Sequence, residues 1–424
     1  MASTPKFDNT KLFIKIKEGS NIPRSKLIKS TKHLFTNNYI VSTTDAVKLQ
    51  NELSVNPGII STEKNYFAGK RVLPEVSNVK FNTEPMLNFA AFNDPRVGRV
   101  WSFSDASDKG VSVNKSYLSP LGVNKEEIIV AVVDTGVDYN HEDLKAVMWH
   151  NPGEIPGNKI DDDNNGYIDD VHGINTLKRR DDGSAYGNPM ASHSHGTHVS
   201  GTIAAAQNNN VGIAGIASAV KIMAIRAVPN SSDETDLDVV ESFLYAAKNG
   251  AKLINCSFGK SHNEGGMIVN ETIDHIGKTF GVLIFAAAGN DYGRDIDSNK
   301  TYPASFESDY LLVVASTKKS GGLSWFSNIG EKSVDLAAPG SDVYSTVKDN
   351  KYANMSGTSM ATPTAVGVAA EVLSHFPELG PLGLKKALMD SVTPVKKFQG
   401  KMVSPGRIDL FSSLQFTLEN YSEL

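Results

Sequence analysis

Four short stretches set reactive side chains beside glycines or other small residues. Asp134 is followed by Thr135-Gly136, and His195 by Gly196-Thr197-His198. Ser359 lies within Gly357-Thr358-Ser359-Met360-Ala361-Thr362-Pro363, and Asn290 closes Ala286-Ala287-Ala288-Gly289-Asn290. A carboxylate, an imidazole, a hydroxyl and an amide are groups with which a protein moves a proton, makes a nucleophile and steadies an anion. Singly, each has a plainer reading. Asp134 caps a turn, His195 is a satisfied polar residue, Ser359 is a helix N-cap and Asn290 is a turn residue. Their weight comes from joint placement, because each falls at the end of an element of what reads as one sheet.

The elements that must hold them are short, uniformly apolar runs at 128–133, 221–228, 253–256, 282–287 and 311–315. Helix-like patterns at 197–206, 237–248 and 271–280 separate them. Fully apolar strands alternating with helices predict an α/β fold, a parallel sheet covered on both faces. Sites in such sheets gather beyond the carboxyl ends of the strands. The first run ends at Asp134, the third at Ser257-Phe258-Gly259 and the fourth at Gly289-Asn290. His195 opens an Ala-rich helix. The stretch 357–363 opens a long apolar helix to about residue 376, with Pro363 expected in its first turn. Ser359 then stands at the positive end of a buried helix, where developing negative charge is favoured.

The chain has 424 residues, 42 Lys+Arg, 47 Asp+Glu and one Cys. That length suits a large domain plus a smaller one. The single Cys256 excludes an internal disulfide framework and a multi-cysteine zinc site. A net charge of −5 argues against a nucleic-acid partner, and without a run of ~20 apolar residues no membrane span is expected. Charge is uneven: residues 1–80 hold 13 Lys+Arg against 6 Asp+Glu, and the remainder 29 against 41. A basic segment ahead of an acidic body can dock on it, although chance asymmetry serves equally well. Within the segment we expect a strand at 12–17, a helical stretch after Pro23, a strand at 39–42, a helix capped at Thr44-Asp45 and a strand from 59. That outlines a small α+β module. Residues 1–20 hold no apolar core of signal-peptide length, which leaves open a cytoplasmic protein or one whose signal was removed.

The stretches 134–138, 195–199 and 357–363 resemble the three signatures of subtilisin-like serine proteases, in the family's order of Asp, His and Ser. The segment ending at Asn290 is similar to the family's oxyanion-asparagine segment. The resemblance covers about 95–412 and implies a subtilisin-like parallel sheet flanked by helices. It implies Ser359 as nucleophile, His195 as base, Asp134 as the group that orients the imidazole, and Asn290 with the Ser359 backbone N–H as oxyanion hole. His198 is then helix packing. Ser257, Phe258 and Gly259 look like the edge segment that pairs with an extended substrate. Ala287, Ala288 and Gly289, with Tyr302-Pro303-Ala304, look like the pocket wall before the scissile bond. Residues 1–80 resemble the family's propeptide, a chaperone and inhibitor. We then expect a connector at 81–94, self-cleavage somewhere in about 68–90, and a peptidase domain at 95–424.

Two calcium sites are expected. By resemblance, Asp143 and Asn209 give side-chain oxygens, and Gln207, Val211 and Ile213 give backbone carbonyls. Asp161, Asp163, Asn165 and Asp169, with Tyr167 between them, have the spacing of a calcium loop turning at Gly166, although His172 stands where that pattern wants Glu. Plain readings are a turn for the first and a solvated acidic loop for the second. The acidic loop belongs to an insertion at about 150–190. The expected protein is a calcium-stabilised serine endopeptidase made as a self-processing zymogen. Its partners are protein or peptide substrates and its own propeptide, and it is a monomer secreted or periplasmic by family analogy. Rival readings are a peptide ligase or cyclase using the same residues, and a catalytically silent calcium-binding scaffold.

Overall fold

In the N-terminal part, alternation decides which side chains face which partner. The computed structural model describes residues 6–67, 73–76, 86–119, 121, 124–180, 183–260 and 267–423. Strands β1 (Lys6–Ile16), β2 (Ile28–Phe35), β3 (Asn38–Thr43) and β4 (Ile59–Phe67), with helix α1 (Ala46–Leu53), form an antiparallel sheet in the order β2-β3-β1-β4. Leu12, Ile14, Ile16 and Val41 pack on α1 through Ala46, Leu49 and Leu53. Phe13, Leu34, Phe35 and Ile40 point the other way, into the core of the main body. Helix α1 begins where expected, with the Asp45 carboxylate accepting from Lys48 N at 3.1 Å. The helical stretch expected after Pro23 is instead the strand β2. Pairing with β3 satisfies its backbone, and its mixed polar sequence has no helical preference strong enough to resist.

The main body comprises α2 (Val113–Leu118), β5 (Ile128–Asp134), β6 (Gly173–Arg179), β7 (Ala185–Tyr186), α3 (Ser194–Ala204), β8 (Val220–Arg226), α4 (Asp236–Lys248), β9 (Leu253–Cys256), α5 (Ile268–Phe280), β10 (Leu283–Ala287), β11 (Leu311–Thr317) and β12 (Leu336–Pro339). The hairpin β13 (Val343–Val347) and β14 (Lys351–Met355) follows, then α6 (Thr358–His375), α7 (Pro381–Asp390), β15 (Thr393–Pro394), β16 (Gly406–Arg407) and α8 (Leu410–Asn420). The sheet has ten strands in the order β15-β16-β12-β11-β10-β9-β5-β8-β6-β7, and from β6 through β16 its neighbours run parallel. Val130, Val132, Leu283 and Phe285 face α3 and α6, whereas Ala131, Val133, Ile284 and Ala286 face α4 and α5. Both faces are thus covered, as uniformly apolar strands require. β5 pairs with β8 on one side and β9 on the other, so the chain crosses over β5 through α4. The switch opens a crevice beyond the carboxyl end of β5.

The small sheet docks on α4 and α5 at their amino ends. Glu63 Oε2 accepts from Met267 N at 2.8 Å and Ile268 N at 3.0 Å, filling a helix start that has no side-chain cap of its own. Asn65 Oδ1 accepts from Leu237 N at 2.9 Å. Phe35 stacks on His275 at 4.7 Å, and Lys15 pairs with Glu271 at 2.8 Å. Capped helix starts and the stack on buried Phe35 hold this contact more firmly than the partly exposed ion pair does. Residues 68–72 and 77–85, which include most of the expected cleavage region and part of the connector, lie outside the described residues.

Candidate active site

Asp134 ends β5 and His195 stands in the first turn of α3. His195 Nδ1 lies 2.8 Å from Asp134 Oδ1 and 2.9 Å from Oδ2, with both residues 1% exposed. Asp134 Oδ1 also accepts from Thr135 N at 2.7 Å, which fixes the carboxylate. Gly196 makes this approach feasible: a Cβ there would stand 2.2 Å from Gly136 O and 3.1 Å from Asp134 Cβ. His198 points away to Val343 O at 2.9 Å, and burial pushes it down to about 3, so it is neutral.

Ser359 stands in the first turn of α6, whose body is buried between α3 and the sheet. Its hydroxyl donates to Ser257 O at 3.1 Å, and among the described residues His195 Nε2 has no hydrogen-bond partner. The structure therefore joins carboxylate to imidazole and leaves the imidazole–hydroxyl bond unmade. Pro363 lies in the second turn of α6, not the first as expected. Its missing N–H leaves Ser359 O without the usual helical donor. Ser257 Oγ supplies one at 2.8 Å, and itself accepts from Asn255 Nδ2 at 2.9 Å. Sequence reasoning missed this device, although Pro four residues after a helix-start serine was its signal.

Asn290 follows β10. Its Oδ1 accepts from Thr358 N at 2.9 Å and Thr358 Oγ1 at 3.0 Å, which turns the amide Nδ2 away from that anchor. Gly289, at φ +99°, makes the turn before it, and a Cβ there would meet Asn328 Nδ2 at 2.4 Å. The Ser359 N–H, in the first turn of α6, has no intrahelical acceptor. Asn290 and Ser359 line one cavity, so both residues that carry these donors border the same cleft.

A cavity of about 410 Å³ adjoins them, lined by Ser257, Phe258, Gly259, Ala287, Gly289, Asn290 and Ser359 among others. Ala288 is fully buried, its N–H on Val314 O, and does not line the cavity. Thr301 lines it in place of the expected Tyr302-Pro303-Ala304. Lys260, on the same wall, pairs with buried Asp236 and donates to Tyr66 O at 3.2 Å. Leu73 and Pro74 of the N-terminal part also line this cavity, and Pro74 Cγ lies 3.6 Å from the Cβ position of Gly357. The weak periodicity of that segment gave no warning of where it would lie.

Of the two expected cation loops, the acidic one gathers carboxylate oxygens, whereas at the other the Asp143 oxygens and Asn209 Oδ1 accept from N–H donors. Asp143 is fully buried, and burial pushes its carboxyl up to about 6. It accepts from Asn209 Nδ2 at 2.8 Å and Ile213 N at 2.9 Å. Among the described residues the backbone carbonyls of Gln207, Val211 and Ile213 accept no hydrogen bond, which leaves them free for a hard cation. The Gln207 side chain turns away to Tyr117 and Gly215. In the acidic loop, Glu154, Asp161 and Asp163 place carboxylate oxygens within 4.8 Å of one another, an arrangement that could hold a metal ion. Glu154 lies outside the spacing read from sequence. The Asn165 side chain bonds Asp163 at 3.0 Å, and Tyr167 N bonds Asn165 Oδ1 at 2.8 Å. Asp169 is engaged elsewhere, by Gly157 N at 2.7 Å and Lys159 N at 3.1 Å.

Comparison with known proteins identifies a family. Residues 125–405 match the profile of the subtilase family, peptidase family S8. The chain is 32% identical over 303 residues to subtilisin-like protease 1 of Plasmodium berghei, covering 68% of this chain and 49% of that protein. It is 32% identical over 304 residues to the halolysin-like extracellular serine protease Nep of Natrialba magadii, covering 72% and 49%. It is 37% identical over 247 residues to the thermophilic serine proteinase of Bacillus sp. strain AK1, covering 58% and 52%. The chain thus spans about half the length of these curated relatives.

Proposed function

Since the chain belongs to the subtilase family, we propose that it is a serine endopeptidase that hydrolyses peptide bonds through an acyl-enzyme. The observation that carries this reading is the buried Asp134–His195 pair, whose free imidazole nitrogen accompanies a serine hydroxyl at a helix start. Asp134 accepts the Nδ1 proton of His195, which leaves Nε2 as the basic nitrogen. In this reading the Ser359 hydroxyl leaves Ser257 O and donates to that nitrogen, a contact that commonly tightens only when substrate is bound. Ser359 Oγ then attacks the carbonyl carbon while its proton passes to Nε2. The carbonyl oxygen gains charge and takes hydrogen bonds from Asn290 Nδ2 and Ser359 N–H. His195 gives the proton to the departing amine, and water repeats the sequence to release the acid.

Residues 1–80 serve in this reading as an inhibitory propeptide, and the chain processes itself. Leu73 and Pro74 lying in the cleft beside Ser359 support that role. Calcium is the proposed cation for both loops, with Asp143, Asn209 and the three free carbonyls at one, and Glu154, Asp161 and Asp163 at the other. Hard oxygen donors suit it, and a bound cation would offset the crowding of acids. Action outside the cytoplasm fits a relative named as extracellular. Hydrolysis of an internally quenched peptide, with cutting of the full chain into two fragments, tests the reading. Ser359→Ala should abolish both, and a purified alanine variant that cuts itself as fast as the parent would refute it.

A further inference from the structure

Beyond Asn290, on the side away from Ser257, two aromatic rings stand almost bare. Tyr292 is 77% exposed and Trp325 71%, and their ring centroids are 5.3 Å apart. Buried Phe326 meets Trp325 edge-on at 5.7 Å. Tyr292 has φ +61°, a left-handed backbone that a bulky residue adopts only when its surroundings impose it. The imposing contacts are present: Tyr292 N donates to Phe326 O at 3.1 Å, and Asp291 N donates to Asn328 Oδ1 at 2.9 Å. The paired rings are held in place yet leave their apolar faces to solvent, where a substrate side chain can reach them.

The path of the chain's own N-terminal part gives the direction of binding. Tyr292 and Trp325 line a cavity of about 590 Å³ that contains neither Ser257 nor Ser359. Leu73, Pro74 and Asn290 border both this cavity and the one holding Ser359, whereas Glu75 borders only the aromatic one. The backbone thus advances from the Ser359 cavity into the aromatic cavity as residue number rises. A peptide laid the same way puts the residues before its scissile bond in the first cavity and those after it in the second.

We infer that Tyr292 and Trp325 bind an apolar or aromatic side chain of the substrate on the leaving-group side of the scissile bond. The inference rests on the peptidase reading and adds to it a selection exerted after the cut. Paired rings offer a flat apolar seat that favours Phe or Leu over Ser or Asp. The probe is a set of internally quenched peptides with one common acyl half and Phe, Leu, Ser or Asp at the first or second position after the bond. A peptide anilide with the same acyl half and no residue after the bond serves as reference. The parent should cleave a Phe peptide with kcat/KM about tenfold above its Ser counterpart at one of the two positions. Trp325→Ala and Tyr292→Gly should bring that ratio to within about twofold, read against each variant's own anilide rate. Glycine suits the left-handed backbone, so the second variant keeps the loop, and equal thermal midpoints confirm folding. A parent that ignores the residue at both positions, or variants that keep its full preference, would overturn the inference. If anilide hydrolysis persists in Ser359→Ala, the peptidase reading itself falls and this inference with it.

Discussion

Asn290→Asp exchanges one NH₂ group for an oxygen and leaves the other amide oxygen in place. The two hydrogen bonds that anchor the side chain, from Thr358 N at 2.9 Å and Thr358 Oγ1 at 3.0 Å, need only that oxygen. The loop should therefore keep its position, and the thermal midpoint should stay within a degree or two. The donor aimed at the reacting oxygen is lost. Removing one such donor costs about 3 kcal/mol of transition-state stabilisation, or roughly a hundredfold to a thousandfold in kcat. The new carboxylate also repels the developing oxyanion, although the exposure of Asn290 lets water screen that repulsion. The assay is steady-state hydrolysis of a peptide anilide by the peptidase body, freed of its N-terminal part by an immobilised protease of other specificity. We expect kcat and kcat/KM to fall together by at least a hundredfold with KM little changed, the mark of an interaction made only in the transition state. A kcat within about fivefold of the parent, with the fold intact, would refute the assignment of Asn290.

Ser257→Ala should leave Ser359 O and Asn255 Nδ2 unpaired, because Pro363 cannot donate. Calorimetry should show a loss of about 1–3 kcal/mol, and adding Pro363→Ala should recover part of it. Burial pushes the Glu63 carboxyl up to about 6 in the docked state. Its contribution to docking is therefore full below the ordinary carboxylate range and is lost as pH rises through about 6. The nicked N-terminal segment should dissociate about tenfold more readily at pH 8 than at pH 5 on account of this group. Burial pushes His275, stacked on Phe35, downward and so gives the opposite slope. The readout is accordingly the difference between parent and Glu63→Gln, and identical pH profiles would contradict the cause. Calcium should raise the thermal midpoint and a chelator lower it by several degrees, with Asp143→Ala removing most of the shift.

Much of the frame was legible because long apolar runs leave few options. The run 253–256 is β9 to the residue, and 128–133 is β5 less only its terminal Asp134. Residues that end such strands inherit positions at the sheet's rim, so the rim positions of Asp134, Ser257 and Asn290 are legible in the sequence. What escaped depends on long-range pairing. β2 is a strand only because β3 lies beside it, and local sequence does not announce its partner. Glu154 reaches the acidic loop from outside the repeat of that loop, so spacing could not find it. Leu73 and Pro74 enter the cleft because β4 is fixed on the amino ends of α4 and α5, a contact made by Glu63 and Asn65 with no motif of its own.

The central claim is that Asp134 and His195 make the Ser359 hydroxyl a nucleophile. A fluorophosphonate probe reacts with a serine so activated, and peptide mass spectrometry locates the adduct. The account predicts a single adduct on Ser359, formed in the trimmed parent and reduced at least a hundredfold by His195→Ala. A parent that stays unlabelled, or an adduct whose rate is indifferent to His195, would contradict it.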